Sequence, residues 1–124
     1  MSGDLSGVLD IASRVMDFTN ARARALNLNL AHASEPGYRR VDVDFSTLAK
    51  ALQEEDEGKR AQALSRAAPA MEVDASAVAG ADGNTVNFET EQIQLDKNSL
   101  IHEVAAAMVS ATLAQMRSAI SGHS

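Results

Sequence analysis

The sequence predicts an all-α fold in which two long terminal helices pair as an antiparallel, coiled-coil-like hairpin, joined by an extended or irregular middle segment. Two observations predict the helices: a heptad pattern of apolar and small residues begins the chain, and a second apolar helical stretch ends it. A third observation concerns the size of the side chains that could fill a core. The hydrophobic fraction is 45%, but only 3% of residues are aromatic, which favours thin helical packing over a thick core. We expect three regions, namely residues 1–36 with the first helix and its turn, 37–85 as the middle segment, and 86–124 with the second helix.

The N-terminal helix is predicted from a seam whose members recur at steps of four and three. Its members are Leu5, Leu9, Ala12, Met16, Thr19, Ala23, Leu26, Leu30 and Ala33. Ile11 and Phe18 widen the stripe on one flank, so the helix has more apolar surface than a strict two-helix seam. The helix should end at Ser34-Glu35-Pro36-Gly37, because proline disfavours helical geometry in the preceding residue and glycine accepts the left-handed conformation of a sharp turn.

The middle segment shows weaker patterns. Val41, Val43 and Phe45 alternate with aspartates, which predicts a short strand or an extended arm. Residues 45–64 include some helical spacings, but the acidic run at 54–58 interrupts them and is typical of a solvated loop. Small residues and turn formers over 67–84 indicate irregular chain, and an extended stretch is predicted at 71–73.

The C-terminal helix is expected to start near residues 88–90 and to run to about Ile120, ending at Gly122. Its 3-and-4 spacing is kept by Ile93, Leu100, Val104, Ala107, Ala111 and Ala114. From residue 100 onward the helix is apolar almost all round, which two helices cannot cover, so partner chains should bury the remainder. The predicted interface consists of Leu100, Val104, Ala107, Met108, Ala111, Leu113, Met116 and Ile120.

Charge and composition argue against several classes of function. The net charge of -6, from 17 acidic and 11 basic residues, opposes nucleic-acid binding. The arginines at 14, 22, 24, 39 and 40 are spread as on a solvated helix face with a few ion pairs. The absence of cysteine excludes a disulfide framework and a thiolate metal site. We expect neither a cleavable Sec signal nor a membrane span, since no apolar run reaches the required length.

Catalytic and metal-binding patterns are not recognised either. His102-Glu103 begins like a zinc-protease helix, but Ala106 occupies the position of the second histidine. His32 and His102 have no third ligand pattern, and the carboxylate pairs lack a predicted pocket. We therefore predict no catalytic, cofactor-binding or metal residues, no small-molecule substrate, and a protein that is not an enzyme.

One stretch does resemble a known family. Residues 26–38 and the following Arg39-Arg40-Val41-Asp42-Val43-Asp44-Phe45 resemble the end of the N-terminal helix in flagellar rod, hook and hook-associated proteins, where an Asn-rich segment leads into Thr-x-Gly-Tyr. Pro-Gly-Tyr followed by Asp-Val-Asp-Phe looks like the FlgB-type rod proteins. The stretch from Asp82 to Asn87 is similar to the family's Gly-Asn-x-Val entrance to the C-terminal helix, and the order of the two motifs is correct. The candidate assembly motif is Asn27, Asn29, Pro36, Gly37, Tyr38, Asp42, Asp44 and Phe45; departures from the family pattern occur at Leu28, His32, Ser34 and Glu35.

The resemblance implies a structural subunit of the proximal rod of the bacterial flagellar basal body, which transmits torque. It also implies export by the flagellar type III apparatus into the periplasmic rod. The implied partners are copies of the chain, other rod proteins and the base of the export gate and membrane ring. The alternative is a soluble coiled-coil adaptor or regulatory module that binds a partner helix. An adaptor should keep a polar outer face on its C-terminal helix, and residues 100–120 do not.

Overall fold

A computed structural model describes residues 2–122, with side chains from Leu5 onward; Met1, His123 and Ser124 lie outside the described residues. The elements in chain order are α1 (Ser2–Ala31), β1 (Val41–Val43), α2 (Ser46–Gln53), α3 (Glu57–Arg66), β2 (Met71–Val73) and α4 (Phe88–Ile120). The two terminal helices have 30 and 33 residues and are each about 45–50 Å long at 1.5 Å per residue. The predicted all-α architecture with a small irregular middle is confirmed.

Helix α1 pairs with α4 in antiparallel fashion. Asn29, near the end of α1, contacts Glu91 at the start of α4, while Thr19 contacts Asn98 and His102 further along. The α1 seam predicted from the heptad pattern is buried or half-buried along its described length. The seam of α4 consists of Glu91, Asn98, Ala105 and Thr112, which are buried and spaced seven residues apart.

The apolar residues of α4 that follow the 3-and-4 spacing do not form the seam that packs against α1. Ile93, Leu100 and Val104 are each more than half exposed. Three of the four buried seam positions are polar, and hydrophobicity alone cannot find them. Asn98 Nδ2 donates to the Thr19 carbonyl at 2.8 Å, which compensates part of the cost of burying that amide. Large apolar side chains of α4, among them Ile93, Leu100 and Val104, are thus left on its outside.

The second face of α1 packs against the middle segment. Phe18, Ala21 and Ala25 of α1 form a hydrophobic cluster with residues of β1, α2 and α3 and with the residue that follows α3. These partners are Val43, Leu48, Ala51, Leu64 and Ala67. Phe18 and Phe45 meet edge to face with ring centroids 5.3 Å apart. The middle segment therefore contributes to the same core as the helix pair.

The acidic run was predicted as a solvated loop over 54–58, and this prediction is wrong at its C-terminal end. Only residues 54–56 separate α2 from α3, and Glu57 and Gly58 already belong to α3. Asp56 caps the helix by accepting a hydrogen bond from the Lys59 amide at 2.8 Å. Carboxylates are favourable at a helix N-terminus, where backbone N–H groups lack partners, and this outweighs their mutual repulsion.

Strands β1 and β2 form an antiparallel two-stranded sheet in which Val41, Asp42 and Val43 oppose Val73, Glu72 and Met71. Both extended stretches were predicted. The irregular chain after β2 returns to the end of α1, where the Asp82 carbonyl accepts a hydrogen bond from the Gly37 amide at 3.0 Å. Within residues 2–122, no helix has the length and apolarity that crossing a membrane requires.

Candidate assembly site

The turn after α1 takes the conformation that its Pro-Gly step predicts. Gly37 has a φ of 75°, in the left-handed region that residues with a side chain seldom adopt. Gly83 of the returning chain also has a positive φ, and a Cβ built on it would lie 3.4 Å from the Gly37 Cα. The two glycines thus let two turns approach each other closely.

Asn29 is the buried amide around which the site is built. It is 0% exposed. Its Nδ2 donates to the Val41 carbonyl at 2.7 Å and to Glu91 Oε2 at 3.1 Å, while its Oδ1 accepts from the Val41 amide at 2.9 Å and from the Tyr38 hydroxyl at 3.2 Å. All four hydrogen-bonding positions of the side chain are occupied. Asn29 therefore ties α1 to β1, to the turn and to α4.

Charged groups complete this arrangement. We call the following six residues the buried polar network: Arg22, Asn29, Arg40, Asp42, Asp74 and Glu91. Arg40 donates to Glu91 at 2.6 Å, to Asp74 at 2.5 Å and to Asp42 at 3.1 Å. Arg22 reaches the same Asp42 carboxylate at 2.9 Å. Four elements, α1, β1, α4 and the end of the hairpin, meet at these contacts.

The protonation of the network follows from its hydrogen bonds. Burial alone would lower the pKa of Arg40, but its bonds to Glu91 and Asp74 outweigh burial and hold that pKa above its usual value. Burial raises the pKa of Asp42, while bonds from Arg22 and the Val43 amide bring it below the ordinary value. The pKa of Asp74 is lowered chiefly by its hydrogen bond with Ser76 and further by Arg40. Arg40, Asp42 and Asp74 are thus held in their charged forms, and removing one partner leaves a polar group of the network without a hydrogen bond.

Asn84 fastens the second motif to the first. It is 5% exposed, and its Nδ2 lies within 3.2 Å of three backbone carbonyls in the turn that follows α1, those of His32, Ala33 and Glu35. Asn84 thus donates from the returning chain to the backbone of this turn. Next to it, Thr85 Oγ1 accepts from the Arg40 amide at 2.7 Å. The two stretches that resemble the flagellar family therefore form one structural unit.

The remaining residues of the candidate motif have separate positions. The Tyr38 ring stacks on the His32 ring with centroids 4.8 Å apart. The pKa of the Tyr38 hydroxyl is raised, mainly by burial and further by the negative charge of Glu35. Asp44 accepts from the Ser46 amide at 2.9 Å at the start of α2. Phe45 packs on the core, as described above. Asn27 and Pro36 are exposed.

Seven of the eight predicted interface residues are exposed, and Leu100, Val104, Ala107, Met108 and Ala111 share one face of α4. Leu100 is 62% exposed, Val104 54% and Met108 44%. Ala107, Ala111, Leu113 and Ile120 are exposed as well, and Met116 is half-buried. Beside this face, α1 and α4 enclose an open groove of about 330 Å³. Its lining is Ile11, Ala12, Val15, Leu100, Ile101, Val104, Ala105 and Met108, all of them apolar.

Several residues of the site were not predicted from the sequence. Arg22 and Arg40 were assigned to a solvated helix face with a few ion pairs. The ion pairs are present, but the solvated position is wrong, because the two side chains are only 21% and 11% exposed. Glu91 and Asn84 are almost fully buried but were not selected as site residues, and Asp74 was not considered. The available signal was that Arg40 and Asn84 stand inside the two motifs that carry the family resemblance.

Groups suited to catalysis or metal binding were sought in the same part of the chain. Over residues 2–122, His, Asp and Glu form no group of three that could hold a metal ion. His102 Nδ1 lies 2.9 Å from Thr19 Oγ1, and His32 Nδ1 lies 2.6 Å from Glu35, so each histidine has its own partner. The arrangement can hold elements together, and its charged groups are engaged in doing so.

Comparisons with known proteins bear on this arrangement. No protein-family model matches the chain. Flagellar basal body rod protein FlgB of Salmonella typhimurium is 28% identical over 132 residues, covering 95% of this chain and 96% of the relative. The proteins of the same name from Escherichia coli K12 and Cereibacter sphaeroides are each 26% identical, and each alignment covers more than nine-tenths of both sequences.

These similarities extend over the motifs, the helix pair and the middle segment alike. The chain is accordingly similar, over nearly its whole length, to structural proteins of the bacterial flagellar basal-body rod. Within that class the similarity is to rod proteins of the FlgB type, the type that its two motifs resemble.

Proposed function

We propose that the chain is a subunit of the proximal rod that assembles with copies of itself and with other flagellar rod proteins, next to the export gate and membrane ring, and transmits torque. The observation that carries this proposal is the apolar face of α4, which no other described residue covers. A contiguous exposed apolar surface marks a contact with other chains. The predicted interface, from Leu100 to Ile120, is that contact.

The buried polar network has a mechanical role in this proposal. Torque passes through a rod only if each subunit keeps its shape, and the network fixes α1, the turn and α4 relative to one another by directional bonds. The three regions 1–36, 37–85 and 86–124 then act as one body: two terminal helices that meet neighbours, and a middle segment that braces α1. The candidate motif, from Asn27 to Phe45, sets the angle at which the middle segment leaves the helix pair.

The cellular setting belongs to the same proposal. A rod subunit works in the periplasm, and the resemblance to rod proteins implies that the chain reaches it through the flagellar type III apparatus. The chain acts without a cofactor, a small-molecule substrate or nucleic acid, and it is not an enzyme. The support is that the charged groups of its main polar cluster are bonded to one another.

A helix-binding adaptor is the second candidate, because the groove between α1 and α4 is apolar and open. The two candidates differ in what happens when the gene is deleted. A rod subunit predicts that basal bodies isolated from the deletion strain lack the rod, and that the cloned gene restores both rod and swimming. Complete rods in the deletion strain, seen by electron microscopy, would contradict the proposal and favour the adaptor.

A further inference from the structure

The β1–β2 hairpin has two edges that differ in their backbone hydrogen bonds. The Asp74 amide donates to the Arg40 carbonyl at 3.0 Å, and the register places Asp42 opposite Glu72. In an antiparallel pair the bonded positions alternate along each strand. The N–H and C=O groups of residues 41 and 43 therefore point out of one edge, and those of residues 71 and 73 point out of the other.

The edge of β1 is closed by side chains of the chain itself. Asn29 bonds both the amide and the carbonyl of Val41, in the way a neighbouring strand would. Asp42 Oδ1 accepts from the Val43 amide at 2.8 Å. No further strand can add at this edge without displacing the buried amide of Asn29.

The edge of β2 is open. The outward backbone groups of Met71 and Val73 have no hydrogen-bond partner among the described residues. An unpaired strand edge is a template for another extended chain. The side chains of Met71 and Val73 share a sheet face with the buried Val43, but they are 43% and 52% exposed, so this apolar face continues past the part that α1 covers.

The opposite face of the hairpin determines which strand fits. Here Glu72 is exposed, and an open groove of about 300 Å³ is lined by this side chain together with Asp42, Asp44 and Asp74. A second copy pairing antiparallel through the same open groups would place Glu72 directly opposite its own counterpart. Unlike Asp42, which opposes Glu72 within the hairpin and is paired with two arginines, this carboxylate would bring no cation, and the like charges would be destabilising. A strand with a lysine or arginine opposite Glu72 would instead gain a favourable cross-strand pair.

We propose that the outer edge of β2 receives an extended segment of a different rod protein, in which a basic residue is flanked by apolar residues. The apolar neighbours would cover Met71 and Val73, and the basic residue would meet Glu72. This inference rests on the proposed function, since it describes how the rod subunit meets a neighbour of another kind.

Proline at position 73 tests the backbone part of the inference. Val73→Pro removes an outward N–H group while leaving the Asp42–Glu72 and Arg40–Asp74 pairs, and proline is tolerated on edge strands. Val73→Thr is the matched control, because it keeps the N–H and the β-branched shape. We expect at least tenfold less Val73→Pro protein in purified basal bodies and near-normal amounts of Val73→Thr. Protection of the Asp74 amide from hydrogen exchange in the purified variant checks that the hairpin still forms.

Charge reversal tests the other part without touching the backbone. Glu72→Arg should reduce incorporation strongly, and Glu72→Gln should do so less. Wild-type incorporation of both Val73→Pro and Glu72→Arg would overturn the inference. Absence of the unsubstituted chain from basal bodies would instead overturn the proposed function, so the two failures are distinguishable.

A photoreactive side chain at position 71 identifies the occupant. In assembled basal bodies we expect a cross-link to an extended segment of another protein that carries lysine or arginine between apolar residues. A cross-link to β2 of a second copy, a cross-link to a helix, or no cross-link would each contradict the proposal.

Discussion

At the scale of single residues, Asn29 shows how one buried side chain can fix the meeting point of several elements. Its side-chain amide bonds the backbone of Val41 at the edge of β1, accepts a hydrogen bond from the Tyr38 hydroxyl and donates one to Glu91. Glu91 in turn receives Arg40, so a charge that would be costly to bury alone is compensated. Stability at this point depends on every partner being present.

Removing the Glu91 carboxylate should therefore be severe. Glu91→Ala removes the main partner of Arg40 and one acceptor of the buried Asn29 amide, and each buried donor left unsatisfied costs about 1–3 kcal/mol. Glu89→Ala, two residues earlier on the exposed side of the same helix, should change stability by less than about 0.5 kcal/mol. Urea unfolding followed by circular dichroism measures both, and equal effects of the two substitutions would contradict the role of the network.

Gly37 is required for its backbone conformation. No atom lies within 4 Å of a Cβ built at this position, so a substitution meets strain and no steric clash. Gly37→Val should destabilise the chain by about 1–3 kcal/mol, the usual cost of a residue held in an unfavourable backbone region. Gly37→Asn should cost less, because asparagine tolerates positive φ. A valine variant as stable as the asparagine variant in thermal melts would show that the turn relaxes freely.

The lowered pKa of Asp42 predicts how stability depends on pH. A carboxyl whose pKa is lower in the folded chain contributes stability above its unfolded pKa of about 3.9, and this contribution is lost as pH falls through the folded pKa. Asp42→Asn should be less stable at pH 7 and should lose less stability between pH 5 and the acid limit. Parallel curves for the two proteins in that range would contradict the proposed charged state.

At the scale of elements, the sequence predicted α1 well because its seam is made of apolar and small residues such as Leu26 and Ala12, which heptad spacing detects. The seam of α4 was missed because Glu91, Asn98 and Thr112 are polar and are buried only in combination with partners elsewhere in the chain. Hydrogen-bond partners more than 60 residues apart leave no periodic signal. The same reason explains why Arg40 was assigned to the surface.

A substitution on the outer face of α4 tests whether neighbouring subunits bury this element. Val104→Asp places a carboxylate where a neighbouring subunit should exclude water, and burying an unpaired charge costs several kcal/mol. In the isolated chain the same position is 54% exposed, so folding should be unaffected. We expect normal expression and helicity, measured by circular dichroism, together with loss of incorporation and of swimming. Swimming cells of the Val104→Asp strain would show that the face stays in solvent.

At the scale of the whole molecule, one end of the helix pair is held by many contacts, while one side of α4 is left exposed to solvent. The network, the turn and the middle segment hold α1 and the start of α4 together. The rest of α4 presents its apolar side chains outward. This division suits a subunit whose own contacts fix the junction of α1, the turn and α4, and whose exposed apolar side chains on α4 are buried by neighbouring subunits in a polymer.

Selective labelling tests this account most directly, because the chain has no native cysteine. A single Val104→Cys substitution should react readily with a maleimide in the isolated chain and be protected in purified basal bodies. Thr112→Cys, at a position 5% exposed in the helix seam, should be protected in both states and serves as the control. Equal labelling at position 104 in the isolated chain and in the assembled rod would contradict the claim that neighbouring subunits bury the outer face of α4.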